Sequence, residues 1–523
     1  MQMKYEDNNI DYYIGGWSKK KIDGKSFDEL FQIDGIPLWW FWKKYFFKYM
    51  MFKPINTFSQ MQAGKKITAL ESLSLTIKAN LLKHFISINE MRKINKSRKK
   101  KFSKKLTEEK NLNPSRVLFL SYTNHINNGN QIFRIQNIVD KIREENKKEA
   151  FILLADPLAS RDEKKVPYSI VYDYYDEDIK RKAAKIAAEL ALKWRNINEE
   201  VKKDLISKDA VSYWPYLRYH FELFFSEEML LILCINYEIM KKILEVEKVQ
   251  CCVLTAPHNL FEKALLAAAK KKNIPAVLVQ HGAGMAKANP DLLNDTKCAV
   301  FGEITKKELM ETGVKEDDIV ITGPVIFDGI IDHVNSEKEK TGKDLQLLLA
   351  TTPAVEDGSL SKKEYWQQIE KVLDEITKIE NVSVTLKLHP AEVQYKLYQR
   401  LIRRKGYDSV RVLHQQDRRT FYKLLAGCDI FLHFDSTAAI EAMILDKPVI
   451  NIKISNKEFS MFADAASVIT TPQAGIAPEI SRILEQDRFK EKRREIVRKF
   501  CGEIDGRSHE RVADLIYELS NNS

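Results

Sequence analysis

The sequence predicts an α/β protein with two doubly wound, Rossmann-like domains facing a cleft, preceded by a mainly helical N-terminal extension. Short β-branched runs alternate with longer helical patterns from about residue 114, and a polar stretch at residues 332–344 interrupts this alternation once. Such alternation is typical of parallel sheets with crossover helices. A length of 523 residues also exceeds what one hydrophobic core usually serves. We therefore expect an extension over residues 1–110, domains over residues 111–331 and 332–485, and a helical tail over residues 486–523.

Each predicted domain contains six strand-like runs. In the first domain they are RVLFLSYT, FILLADP, CCVLTAP, AVLVQHG, CAVFG and DIVITG, and a long helical insertion at residues 176–247 separates the second run from the third. In the second domain they are LQLLLATTP, VSVTLKLHP, VRVLHQ, DIFLHF, PVINIKI and SVITT. Ligands of such sheets bind beyond the carboxyl ends of the strands, so the residues that follow these runs are the candidates for a site.

The N-terminal extension shows no clear strand pattern and no internal repeat. Its centre, Ile36 to Phe52, is IPLWWFWKKYFFKYMMF, with lysines on more than one helical face. Such a helix either packs against the rest of the protein or lies in a membrane interface. The run from Arg92 to Lys105 holds nine basic residues and no acidic one, so it is either a solvated linker or a peripheral contact with anionic lipid. No nucleic-acid-binding motif accompanies the run, and we expect no nucleic-acid partner.

The cysteines and the first residues predict a cytoplasmic location, extending to the inner face of the cell membrane if the lipid contact holds. The six cysteines lie on or beside apolar runs, without C-x-x-C pairs or zinc-site spacing, and are expected to be small core residues. The start of the chain, MQMKYEDNNIDYY, contains acidic residues and no apolar signal segment. No run of about 18 uncharged apolar residues is present.

Two phosphate-binding patterns are missing from the sequence. The absence of G-x-x-x-x-G-K-[ST] and of G-x-G-x-x-G after a first strand argues against a P-loop kinase and against a nicotinamide dehydrogenase. The cluster Asp176, Glu177 and Asp178 is similar to a D-x-D metal motif, but it precedes a helical stretch and fits first-turn acidic residues better. We therefore predict no metal.

A first candidate site lies in the run CDIFLHFDSTAAIEAMILDKPVI. A buried strand ends at Phe434, and a helix is expected from about Thr437. Small residues at this turn allow a phosphate to approach the helix N-terminus, and Glu441 is one turn further on, where it can accept hydrogen bonds from ribose hydroxyls. The alternative is that Asp435 or Ser436 merely caps the helix, with Glu441 as a capping-box residue.

Two further candidates also follow predicted strands. In VTLKLHP, alternation puts Lys387 and His389 on one face and Pro390 ends the strand, which favours an anion site. In VLVQHGAGMAKANP, a strand ends at His281 and is followed by Gly282 and Gly284. His281 is either a general base for an acceptor hydroxyl or a structural residue bonded to the loop backbone.

These stretches, in this order, resemble the GT-B superfamily, in particular capsule and surface-polysaccharide biosynthesis proteins related to CDP-glycerol glycerophosphotransferases and to bacterial sialyl- and Kdo-transferases. The resemblance extends over residues 114–485 and includes AVFGEITKKELMETGV and ITGPVIFD. Lys387, His389 and Pro390 match the family's K-x-H-P element, and Ser436 and Thr437 match its phosphate turn. His281 and Gly282 match its Q-H-G element, whose histidine lines the cleft.

The resemblance implies a metal-independent glycosyltransferase that moves a sugar to a surface polysaccharide or lipid-linked acceptor. Its co-substrate is a nucleotide-sugar donor, UDP- or CMP-linked, and no other cofactor is expected. With His281 as the catalytic residue, the expected donor-binding residues are Gly282, Lys387, His389, Pro390, Asp435, Ser436, Thr437 and Glu441.

Several different functions are compatible with the pattern of the second domain. UDP-N-acetylglucosamine 2-epimerases look similar there, but they carry a G-T-R-P-E-like turn after the first strand where this chain has SYTNHINNGN, which weighs against an epimerase. A CDP-glycerol-type glycerophosphotransferase is a further possible enzyme. Two functions without catalysis remain, namely a degenerate scaffold of polysaccharide assembly and a nucleotide-sugar sensor. The presence of all of Lys387, His389, Ser436 and Glu441 weighs against both.

Overall fold

The computed structural model describes most of the chain. The described residues are 16–48, 61, 64, 66–100, 115–122, 125, 126, 132, 134–155, 168–208, 211–255, 259–282, 296–331, 344–356, 360–414, 418–434, 436–454, 468–472 and 474–521. Several features of the sequence analysis lie outside these residues. They are Asp435, Gly284, the start of the chain, the end of the aromatic segment after residue 48, the end of the basic run after residue 100 and most of the polar stretch at 332–344. The chain forms two compact units, one of residues 1–279, 291–298 and 514–523, the other of residues 280–290 and 299–513.

The N-terminal extension contains two small hairpins, although its sequence shows no clear strand pattern. Lys21–Ile22 pairs with Lys25–Ser26, and Gln32–Ile33 pairs with Ile36–Pro37, both antiparallel. Each turn is an Asp-Gly pair with positive φ at both residues, which is the conformation that a two-residue hairpin needs. The repeated I-D-G triplet was the signal for these hairpins.

Two helices, α1 (Leu38–Lys48) and α2 (Ala69–Lys100), follow the hairpins. In α1, Trp39, Phe41, Trp42 and Phe46 are buried. The Phe46 ring lies 5.0 Å from that of Phe221, centroid to centroid. The described part of the aromatic segment therefore packs inside the first unit, as the packing alternative predicted.

The first sheet has seven strands in the order β7-β6-β5-β4-β1-β2-β3. The pairs β4–β5, β4–β1, β1–β2 and β2–β3 are parallel. The strands are β1 (Arg116–Ser121), β2 (Glu149–Leu154), β3 (Tyr168–Ile170), β4 (Val249–Leu254), β5 (Ala276–Val279), β6 (Thr296–Val300) and β7 (Ile319–Ile321). The helices of this region are α3 (Gln136–Glu145), α4 (Glu177–Arg195), α5 (Glu199–Leu205), α6 (Trp214–Phe224), α7 (Glu227–Val246), α8 (Leu260–Lys271) and α9 (Glu303–Glu311).

The second sheet has six strands in the order β10-β9-β8-β11-β12-β13, and all five neighbouring pairs are parallel. The strands are β8 (Leu345–Ala350), β9 (Val382–Lys387), β10 (Val410–Leu413), β11 (Ile430–His433), β12 (Val449–Ile452) and β13 (Val468–Thr470). The helices are α10 (Lys362–Ile376), α11 (Tyr395–Lys405), α12 (Arg418–Gly427), α13 (Ala438–Ile444), α14 (Ala477–Glu485), α15 (Lys490–Cys501) and α16 (Ser508–Asn521).

Both sheets have the Rossmann strand order. Counted from its own first strand, the second sheet runs 3-2-1-4-5-6, and the first sheet runs in the same order with a seventh strand added. In this topology the order reverses between strands 1 and 4, and ligands bind at the carboxyl ends of the strands at that point. The reversal falls between β1 and β4 in the first sheet and between β8 and β11 in the second.

The six cysteines are buried free thiols, as predicted for small core residues. Burial raises the pKa of the Cys251 thiol to about 12, so the thiol remains protonated and unreactive at neutral pH. In the described part of the chain, no helix is long and apolar enough to cross a membrane.

Candidate functional site

Two nitrogen-bearing side chains flank the reversal point of the second sheet. Ala350, the last residue of β8, pairs with Lys387 on one side and with His433 on the other. Neighbouring strands lie about 4.8 Å apart, so Lys387 and His433 are separated by one small residue at the carboxyl edge. Lys387 is on the face of β9 opposite Val384 and Leu386, which are in the main core of this sheet.

Lys387 and Arg418, which are half-buried, form a charged cluster with the buried Glu441. The Lys387 ammonium lies 5.1 Å from the centre of the Phe421 ring. Burial lowers the pKa of Lys387, and the negative charge of Glu441 opposes this effect. Burial raises the pKa of Glu441, and the positive charges of Arg418 and Lys387 oppose it. The structure thus brings together two of the predicted residues, Lys387 and Glu441, and adds Arg418, which was not predicted from the sequence.

Arg418 is fixed by the backbone of residue Ile326. Its guanidinium donates a hydrogen bond to the Ile326 carbonyl, and the Tyr422 hydroxyl donates to the same oxygen at 3.2 Å. The three groups of the cluster together carry one net positive charge when all are ionised, and the carboxyl group of Glu392 also acts on Lys387. Such a cluster suits a phosphate, because hydrogen bonds that involve ionised groups are stronger than hydrogen bonds between neutral groups.

The turn after β11 is closed by His433 and Ser436. The Ser436 backbone N–H donates to His433 Nδ1 at 3.0 Å, and the Ser436 hydroxyl accepts from the Ala438 N–H at 3.3 Å. Because Nδ1 accepts, the proton of the neutral ring is on Nε2. Nε2 is buried and has no hydrogen-bond partner among the described residues. Burial lowers the pKa of His433 to about 3, so this imidazole is a neutral donor at physiological pH.

The helix that follows this turn is short. α13 has seven residues, and Thr437 stands at its N-cap without a side-chain cap. The Ala439 and Ile440 N–H groups donate to the carbonyls of Ser436 and Thr437. A phosphate at this turn would therefore be bound chiefly by side chains. Glu441 is buried beside Lys387 and Arg418.

The loop that carries His389 is held by a buried carboxylate. The His389 N–H donates to Thr351 Oγ1 at 3.0 Å and to Glu392 Oε1 at 2.9 Å. The hydroxyl of Tyr398 donates to Glu392 Oε2 at 2.6 Å, and that of Tyr365 does so at 3.3 Å. Burial raises the pKa of Glu392, and its hydrogen bonds oppose the shift. Glu392 was not predicted from the sequence, although it stands two residues after the exposed Pro390.

His389 itself accepts a hydrogen bond from the Ala391 N–H at Nδ1, 3.1 Å away. This contact fixes the ring within the loop and leaves the proton of the neutral imidazole on Nε2. His389 therefore belongs to a preformed loop, and not to strand β9, which ends at Lys387.

His281 and Gly282 follow strand β5 of the first sheet. The preceding residue, Gln280, is buried and accepts from the Phe301 N–H at 2.7 Å. Its amide nitrogen donates to the Gly282 carbonyl at 3.0 Å and to Thr305 Oγ1 at 3.2 Å. A side chain at Gly282 would meet no atom of the described residues within 4 Å. Gln280 thus fixes the loop on which the half-buried His281 lies.

The acidic cluster before α4 has the helix-start role that the sequence predicted. Asp176 accepts from the Ile179 N–H at 2.9 Å. Asp178 pairs with Lys182 at 2.8 Å. Within the ranges that the structure describes, no group of three or more His, Cys, Asp or Glu side chains is arranged to hold a metal.

The strand orders place this protein in the GT-B-like class, with two Rossmann-like parallel sheets in one chain. The family model of UDP-N-acetylglucosamine 2-epimerase matches residues 295–517, which is less than half of the chain. No curated protein matches the sequence.

Three solved structures illustrate the structural similarity. UDP-GlcNAc 2-epimerase from Neisseria meningitidis, bound to UDP-GlcNAc, is 13% identical, with 77% of this chain and 100% of that chain covered and a TM-score of 0.48. MurG from Acinetobacter baumannii is 11% identical, with 77% and 100% covered and a TM-score of 0.43. A variant of the wall teichoic acid polymerase TagF is 12% identical, with 87% and 99% covered and a TM-score of 0.46. The fold assignment therefore rests on the strand orders, and the resemblance to capsule proteins stays a prediction.

Proposed function

We propose that this protein is a glycosyltransferase that moves a sugar from a nucleotide-sugar donor to a surface polysaccharide or lipid-linked acceptor. The observation that carries the proposal is the cluster of Lys387, Arg418 and Glu441 beside the reversal point of the second sheet. It combines cations for a phosphate with a carboxylate for hydroxyl groups, at the position where Rossmann-like sheets bind nucleotides. The predicted K-x-H-P and phosphate-turn elements border the same edge.

In this proposal the donor phosphate interacts with Lys387, assisted by Arg418. These groups are already in place, so they stabilise the negative charge that develops on the departing nucleotide without reorganisation. Glu441 accepts hydrogen bonds from the ribose. The Ser436 and Thr437 turn and the His389 loop border the donor, and no metal is required because the protein's own cations supply the positive charge.

The acceptor step is assigned to His281. Its neutral imidazole takes the proton of an acceptor hydroxyl, the acceptor oxygen forms a bond to the sugar carbon, and the bond from that carbon to the nucleotide phosphate oxygen breaks. The electron pair leaves with the phosphate.

Six buried free thiols support a cytoplasmic location.

A second candidate is an epimerase of UDP-N-acetylglucosamine, which is favoured by the family match over residues 295–517. The sequence at the end of β1, SYTNHINNGN, argues against it, because it lacks the G-T-R-P-E-like pattern of those enzymes. A glycerophosphotransferase that uses CDP-glycerol would use the same phosphate-binding residues. A scaffold or a nucleotide-sugar sensor would show no turnover of any donor.

The test is a thermal-shift screen of the purified protein against UDP, CMP, CDP, GDP, their sugars and CDP-glycerol. A ligand present at about a hundred times its Kd stabilises the folded state by about 2.7 kcal/mol. We expect one nucleotide family to raise the Tm and its sugar to be consumed only with an acceptor. Conversion of UDP-N-acetylglucosamine without an acceptor would identify the epimerase, binding without turnover would identify the sensor, and no response to any nucleotide would favour the scaffold.

A further inference from the structure

One face of helix α2 is apolar and exposed. Its members are exposed by 47% to 77%, and they are six of the eleven large exposed hydrophobic residues among the described side chains: Leu70, Leu73, Ile77, Leu81, Phe85 and Ile88. Successive members are three or four residues apart, so they lie along one side of the helix. The stripe is about 27 Å long. We call it the α2 stripe.

The opposite face of α2 holds the helix on the first unit. Leu75 is buried there. The Ser72 hydroxyl hydrogen-bonds to that of Tyr219 and accepts from Arg218 Nη2 at 3.2 Å. Lys83 pairs with Glu228 of α7 at 2.7 Å. The helix is therefore docked by one face, and its stripe faces away from the unit that holds it.

The charge of the segment indicates what covers the stripe. α2 contains eight basic and two acidic residues, and the run from Arg92 to Lys105, which starts within α2, has nine basic residues and no acidic one. An apolar face next to a strongly basic segment is typical of helices that lie in the interface of anionic bilayers. The aromatic helix α1 is less suited to this role, because Trp39, Phe41, Trp42 and Phe46 are buried.

We propose that the α2 stripe inserts into the surface of an anionic membrane, with the adjacent basic run attracted to the lipid head groups. A second copy of the chain would cover the apolar side chains but would add a second set of positive charges. An anionic bilayer supplies both an apolar phase and the opposite charge. The surface is distinct from the proposed donor site, so membrane binding and nucleotide binding are tested separately.

The experiment uses the full chain and vesicles of phosphatidylcholine, alone or mixed with phosphatidylglycerol. The double variant Leu73→Gln/Leu81→Gln removes part of the stripe without touching the docked face. Leu192→Gln is the matched control, because Leu192 is 53% exposed on α4 and not on α2. We expect the parent and the control to float with anionic vesicles at low salt, and the double variant to bind at least about tenfold more weakly.

Insertion is measured with a fluorophore that reports polarity. The chain's own cysteines are buried, so Leu81→Cys can be labelled selectively, with Leu192→Cys as the control. Anionic vesicles should shift the emission of the label at residue 81 to shorter wavelength and leave the label at residue 192 unchanged.

Three results would overturn the proposal. One is no flotation of the parent at low salt, and another is equal binding of the parent and the double variant. The third is a dimer of the parent that the double variant dissociates, with no emission change on vesicles, which would identify a second copy as the occupant.

Discussion

Replacing Lys387 by methionine tests the candidate donor site most directly. Methionine keeps an apolar stem to pack against Phe421 and removes the charge, so the substitution isolates electrostatics from packing. A hydrogen bond that involves a charged group contributes about 1.5 to 3 kcal/mol, and each 1.4 kcal/mol corresponds to a factor of about ten in affinity. We therefore expect Lys387→Met to weaken binding of the nucleotide found in the screen by about ten- to a hundredfold.

The structure also predicts a pH dependence for the parent. Burial lowers the pKa of Lys387, so its charge is lost at a lower pH than that of an ordinary lysine, near 10.4. Affinity for an anionic ligand should therefore fall as the pH rises into the alkaline range. In Lys387→Met this part of the pH dependence should be missing.

The assay is calorimetric titration of the parent and of two controls. Lys423→Met removes an exposed lysine from the same helix, α12, that carries Arg418, and should bind as the parent does. Lys387→Arg keeps a positive charge in a different shape and should lie between the parent and Lys387→Met. Melting curves establish that each variant is folded. If folded Lys387→Met binds the nucleotide as tightly as Lys423→Met, the donor phosphate is bound elsewhere.

Three other substitutions test separate parts of the site. His281→Ala should lower turnover by about a hundred- to ten-thousandfold and leave nucleotide affinity unchanged in titration, whereas near-normal turnover would return His281 to a structural role. Glu392→Ala should lower the free energy of unfolding by at least about 2 kcal/mol, because buried hydroxyls and an N–H lose their acceptor; an unchanged denaturant midpoint would contradict this. The His433 pKa is about 3 in the folded protein and about 6.5 in an unfolded chain, so the unfolded state binds a proton first and stability falls as the pH drops from about 6.5 towards 3. His433→Asn should show a shallower fall over that range. The free energy of unfolding is measured by denaturant titration at several pH values. If it falls equally with pH in the parent and in the variant, the pH dependence does not come from His433.

Much of the second sheet was predictable from local sequence. All six strand-like runs of that domain correspond to strands, from β8 at Leu345–Ala350 to β13 at Val468–Thr470. Buried parallel strands are short apolar runs between helical segments, and this pattern is local and strong. The lysine at the end of β9 and the small-residue turn after β11 were identified for the same reason, since both follow such runs.

The features that the sequence did not predict have two causes: strands too short to show a pattern, and contacts that only the fold creates. The edge strand Tyr168–Ile170 and the four strands of the N-terminal hairpins are only two or three residues long, too short to show a periodic pattern. His433 lies within the strand run DIFLHF, and only the register with Ala350 reveals its position beside the site. Glu392 is ordinary in sequence, because its partners Thr351, Tyr365 and Tyr398 belong to other elements.

The sequence by itself determined the alternation of strands and helices, and thereby which residues end each strand. Tertiary structure decided the strand order and which strand ends meet, because the pairing of parallel strands depends on crossover connections and not on the strands' own residues. It also decided the pKa shifts at the site. The pKa values of Lys387, Glu441 and His433 are shifted mainly by burial, and burial is a property of the packed fold, which the same residues in an unfolded chain do not have.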